Sequence, residues 1–120
     1  KDPDNRRCMQ WECSRGEPFA FVAKLVRLRR ELSALARGAM VPLDCSNSDA
    51  IAWIREDPTQ RLVIVARRTP GEAFELDLTP SGWPKQGRLC DLLEQGPAIA
   101  VSGGRALVPA RGAQLWSFEL

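Results

Sequence analysis

The chain predicts a mainly β fold in which an N-terminal loop and one long α-helix precede an antiparallel β-sandwich of about eight strands. Three observations carry that expectation. Apolar residues recur at three- and four-residue intervals between Glu17 and Gly38; the period falls to two after Gly38; and turn-forming Pro, Gly and Asp residues then punctuate the chain at the roughly 8–12-residue spacing of short strands.

The helix comes first. Pro18 stands where a first turn tolerates it and Gly38 where helices commonly stop. Phe21, Val22, Leu25, Leu28, Leu32 and Leu35 fall on one stripe, so Pro18–Arg37 reads as a single helix of about five turns. The predicted strands are Ala39–Leu43, Ala50–Arg55, Arg61–Arg67, Ala73–Leu78, Arg88–Leu93, Ala98–Ser102, Arg105–Pro109 and Gln114–Leu120. Phe74, Leu76 and Leu78 alternate with Glu75 and Asp77, which predicts one buried and one wet face. Leu62–Ala66 is apolar on both faces and should be central. Asp57-Pro58 and Gly103-Gly104 sit between paired runs as hairpin turns, and Trp53, Trp116 and Phe118 should enter the core.

A chain of 120 residues fits one ordinary domain and can bury a core without staples. Its 17 basic and 15 acidic residues leave a net charge of +2, which points to neither nucleic acid nor an anionic membrane. No apolar run approaches the ~18 residues of a membrane span, and the first residues are polar where a signal peptide is apolar. The expectation is that the mature start has been cut or the chain is an excised piece, from a cytoplasmic protein. Cys8, Cys13, Cys45 and Cys90 match no zinc spacing, and there is no histidine. Reduced thiols are expected, with a Cys8–Cys13 bridge as the alternative, and no metal or cofactor. Without histidine, a Ser-His or Cys-His hydrolase cannot be assembled.

The opening residues carry a more specific signal. Asp2-Pro3-Asp4-Asn5-Arg6-Arg7, then Met9 and Trp11, then a helix ending in Leu-Ser-Ala-Leu-Ala-Arg-Gly, then a β domain, resembles the C-terminal part of an α-amylase family glycoside hydrolase. The likeness is to the cyclomaltodextrinase, neopullulanase and maltogenic amylase group. It implies that residues 1–38 are the end of a catalytic (β/α)8 barrel, comprising an active-site loop and the last helix, and that residues 39–120 are the sandwich that follows it. By the same resemblance Asp2 and Arg6 contact an α-glucan substrate in the intact enzyme, while Met9 and Trp11 pack the loop beneath the cleft. The paired carboxylates of glycosidase chemistry come from earlier strands in that family, so this chain carries no catalytic residue and should be inactive alone. Its partner would be the barrel of the parent chain, and the bared helix stripe could also drive self-association.

Two other readings compete with this one. Trp83, in Ser-Gly-Trp-Pro, either stacks on sugar as the anchor of a carbohydrate-binding sandwich or folds back over the core, the latter being favoured because a large aromatic gains most from burial. The helix stripe equally suits an adaptor that docks on a separate protein. Lys24, Arg27, Arg29 and Arg30 form the densest basic cluster, but Glu17 and Glu31 lie near and no aromatic platform interleaves with them. A solvated helix face is the expectation there.

Overall fold

Two periodicities produce two bodies. A computed structural model describes residues 8, 11–13, 16–69, 71–109 and 111–120, and contacts group the chain into units at residues 1–31 and 32–120. The first unit holds a short 3₁₀ turn at Trp11–Cys13 and helix α1 at Glu17–Glu31. Helix α1 opens with the Ala20 N–H donating to the Gly16 carbonyl at 3.1 Å and carries Glu17 and Arg29-Arg30 at the ends that suit its dipole.

The helix does not run unbroken to Arg37. Leu32 is extended, at φ −100° and ψ 104°, and a separate short helix α2 follows at Ser33–Arg37 within the second unit. The apolar stripe concealed this because its spacing continues through the break. Gly38 ends α2 as expected, though for a reason other than left-handed geometry: a Cβ there would stand 2.5 Å from the Ala34 carbonyl oxygen and 2.8 Å from that of Glu56. Only a glycine allows that approach.

Eight strands follow: β1 Ala39–Leu43, β2 Ala50–Glu56, β3 Arg61–Arg67, β4 Phe74–Asp77, β5 Gly87–Asp91, β6 Ile99–Val101, β7 Arg105–Val108 and β8 Ala113–Glu119. They form an antiparallel six-stranded sheet in the order β1-β2-β3-β8-β5-β6 and a two-stranded sheet of β4 and β7. The predicted spans survive with ends moved by one or two residues. Strand β3 lies inside the larger sheet, as its two apolar faces require, with Leu62, Val63 and Val65 buried. Gly103 and Gly104 both have positive φ, at 60° and 77°, and make the tight turn between β6 and β7 whose twist suits a hairpin.

The two sheets share one core. Phe74, Leu76, Ala106 and Val108 from the small sheet join Ile54, Val63, Val65, Leu89, Val101, Trp116 and Phe118 from the large one. Leu78 is buried beside them, completing the alternation read from β4. Trp53 departs from expectation. The inward positions of β2 are Ala50, Ala52 and Ile54, so Trp53 lies half-buried on the opposite face, opposite Pro42 and Ile64. Alternation places Trp53 and Ile54 on different faces, and the sheet chose the face bearing Ile54.

The two buried polar residues, Gln114 and Asp91, are paired, whereas the indole N–H of Trp83 in the core has no hydrogen-bond partner. Gln114 donates to the Pro109 and Arg111 carbonyls and accepts from the Trp116 indole at 3.1 Å. The Asp91 carboxylate, with its side chain 1% exposed, accepts backbone N–H groups from Leu93, Glu94 and Gly96 and meets Arg111 at 2.8 Å. That guanidinium lies 5.3 Å over the Trp116 ring. Burial pushes the Asp91 pKa up, but the N–H of Glu94, the guanidinium and the remaining donors outweigh it and hold the pKa below the ordinary value. Its stabilisation is therefore complete above the unfolded-state pKa near ~4 and is lost as pH falls through the lower folded value. Asp91→Ala should cost about 2–3 kcal/mol in urea unfolding at pH 7, because it strands three N–H donors and leaves Arg111 with Glu94 alone of its two carboxylates. At acid pH, once the carboxylate of the unsubstituted chain is protonated, the two midpoints should converge.

Candidate docking and binding surfaces

Asp2, Arg6 and Met9, the residues singled out for or beside substrate contact, lie outside the described residues. Trp11 is described, and its ring is exposed instead of packed. What the structure presents in the first unit is an apolar surface. Helix α1 buries none of its residues. Phe21 and Leu25 stand one turn apart, with Phe19, Val22 and Val26 beside them, each between 38% and 58% exposed. Five neighbouring apolar side chains on one helix exceed the scattered exposure that soluble proteins ordinarily tolerate. The polar face carries Arg27 and Glu31, paired at 4.0 Å across one turn and open to solvent. Such a pair contributes little to stability.

In the second unit Trp83 does not present a platform for a sugar ring. Trp83 is 7% exposed and packs on Phe118 with ring centroids 5.2 Å apart, so the folded-back reading is the one observed. Its backbone N–H donates to the Ser81 hydroxyl, which in turn donates to the Leu78 carbonyl. These bonds hold the Ser81–Trp83 turn over the core. Trp116 is buried and Trp53 half-buried. A shallow groove of about 480 Å³ lies beside Pro97, Ile99, Leu107 and Arg111. Its single cation is already committed to Asp91 and Glu94, at 2.8 and 2.5 Å.

Catalytic and metal chemistry find no assembled group among the described residues. No three carboxylate or thiol side chains converge as a metal site would require. Cys8, Cys45 and Cys90 are free thiols. Burial first, and then the charge of Asp44, raise the Cys45 pKa, which keeps that thiol protonated and a poor nucleophile. Among the described residues no helix is long and apolar enough to cross a membrane.

Sequence reasoning missed one constellation, at the β2–β3 hairpin. The Gln60 amide oxygen accepts the Ala34 N–H at 3.1 Å, and the Ser33 hydroxyl donates to the Asp57 carboxylate. At the other end of α2, Arg55 donates to the carbonyls of Ala34 and Leu35 at 3.0 and 3.1 Å. Ala34 is fully buried beneath them. The only local hint was Asp57-Pro58-Thr59, a turn signal that says nothing of a helix 24 residues away.

No protein-family model and no curated protein sequence matches the chain. Solved structures do. An α-amylase from Anoxybacillus superposes with a TM-score of 0.76 at 24% identity, over 99% of this chain and 26% of that enzyme. The α-amylase of Geobacillus thermoleovorans, solved with acarbose, gives 0.75 at 25% identity over 100% and 26%. A maltogenic α-amylase from Thermotoga neapolitana gives 0.74 at 18% identity over 93% and 28%. The likeness thus runs through nearly the whole of this chain and about a quarter of each enzyme, and the resemblance drawn from the opening residues is met by the fold that α-amylase family enzymes carry over that quarter.

Proposed function

We propose that the chain is the C-terminal accessory part of an α-glucan- or cyclodextrin-hydrolysing glycosidase of the cyclomaltodextrinase, neopullulanase and maltogenic amylase kind. Residues 1–38 end its catalytic barrel, residues 39–120 are the supporting sandwich, and the whole works in the cytoplasm. The observation that carries this reading is the bare apolar face of α1, which has the length and character of a helix whose second layer lies elsewhere in a larger protein. The fold match over about a quarter of each α-amylase supports it.

In the intact enzyme the role of this part is structural, with one contribution to binding. Asp2 accepts hydrogen bonds from sugar hydroxyls and Arg6 donates from its planar fork, both on a loop that the rest of the cleft orients. The acid and the nucleophile belong to the barrel. This chain holds no partner for either step. Docking on a separate protein through the same helix face is the competing reading, and it differs in where the partner is encoded.

Extending the reading frame upstream of the codon for Lys1 decides between them. Barrel-encoding sequence is expected, and a stop codon or an unrelated domain there removes the proposal. The 120-residue chain should release no reducing sugar from starch, pullulan or cyclodextrin. In the longer enzyme, Arg6→Ala should raise KM for maltooligosaccharide by about tenfold, the ~1.4 kcal/mol of a lost charged hydrogen bond. By itself the chain should self-associate through α1, most simply as a two-fold dimer, and Phe21→Glu with Leu25→Glu should return a monomer in light scattering. Trp83 fluorescence should not respond to millimolar maltooligosaccharide, and Trp83→Ala should lower stability by about 3 kcal/mol. A saturable sugar response abolished by that substitution would instead make the sandwich a binding module.

A further inference from the structure

The break at Leu32 has no local cause. Kinks and breaks in helices ordinarily trace to proline, to glycine or to an inserted group, and residues 19–37 contain neither proline nor glycine. The segment Leu32-Ser33-Ala34-Leu35-Ala36-Arg37 is made almost wholly of good helix formers. Continuing the helix through Leu32 would satisfy N–H and carbonyl groups that the break exposes. Helix α2, five residues long, is too short to hold itself. The interruption must therefore be maintained by tertiary contacts.

Those contacts are the hairpin's. Leu32 supplies no side-chain cap to α2. Gln60, 26 residues on, takes the capping role by accepting the Ala34 N–H, and Ser33 is drawn to Asp57 rather than left on the helix surface. We propose that the Asp57–Gln60 turn is a clasp that caps α2 from a distance and so holds the helix open at Leu32, and that releasing Ser33 and Ala34 lets Leu32 take helical angles and join α1 and α2 into one helix. Arg55 and buried Ala34 anchor the C-terminal part of α2 in the clasped state, which leaves Leu32 as the residue where the choice is made. The clasp residues are polar and partly exposed, the kind of contact that opens first in a folded protein.

Heteronuclear NMR on the full 120-residue chain reads the choice directly. In the unsubstituted chain the Leu32 Cα resonance should lie on the extended side of its coil value. Ser33→Ala with Gln60→Ala removes the two hairpin contacts to the start of α2, leaving Arg55 on the carbonyls of Ala34 and Leu35 and Asp57 to close its own turn through Thr59 and the Gln60 N–H. Leu32 should then move to the helical side, and the N–H groups of Leu32 to Leu35 should exchange more slowly, with Val63 and Trp116 unshifted as witnesses that the sandwich is intact. Gln60→Ala alone alters no residue of either helix, so it must move Leu32 in the same direction; it decides the matter if the double variant does not fold. Leu32 remaining extended in the folded variants, or already helical in the unsubstituted chain, overturns the proposal.

Discussion

The hairpin between β2 and β3 is the constraint on which most of the second unit depends, and one carboxylate closes it. Asp57 accepts the N–H groups of Thr59 and Gln60, both at 2.8 Å, and the Thr59 hydroxyl at 2.7 Å. The Ser33 hydroxyl first, and then Thr59, hold its pKa down at about 2. The turn pairs Glu56 with Arg61 and carries the register back through Ile54 opposite Val63 and Ala52 opposite Val65. A slip of one residue would send Ile54 outward and Trp53 inward and misalign every strand beyond. The same turn caps α2. A local loop thus governs both the sheet and the entry to it.

The large sheet is apolar on both faces near its centre, which is unusual for a sheet whose inner face is closed by only two strands. Leu62 and Leu115 are buried on the face away from the core cluster, while Met40 and Ile51 on that face stay exposed. Helix α2 packs against β2 and β3 there. A face that is half covered and half bare has the composition of a surface made to be hidden. The bare stripe of α1 has the same character. Two independent elements thus present apolar surface of the kind a larger protein would cover.

The charged residues divide by burial. Arg88 with Glu119 and Arg105 with Glu75, each at 2.9 Å, pair across neighbouring strands in solvent, where ion pairs contribute little beyond fixing register. Asp91 is different because its carboxylate collects the N–H groups of a turn as well as a guanidinium. It organises the chain between β5 and β6 and holds Arg111 over Trp116. None of these groups is poised for chemistry. They hold a shape.

The sequence by itself determined the conformations that depend on near neighbours: the period of two in Phe74–Leu78, the paired glycines that turn β6 into β7, the centrality of Leu62–Ala66 and the helix beginning at Glu17. Each rests on side chains and dihedral preferences within a few residues. For Asp2 and Arg6 a role was expected only through a resemblance, and both lie outside the described residues. Tertiary structure alone decided that β8 lies between β3 and β5, that Trp53 faces away from the core, and that the helix breaks at Leu32. Alternation says that neighbours in a strand part ways, but where both faces are apolar it cannot say which face the core takes. Helical spacing says which residues share a stripe, but not that Gln60 will cap Ala34 across 26 positions and interrupt it. Such choices belong to contacts between segments far apart in the chain, and their energies exist only once the sheet has brought them together.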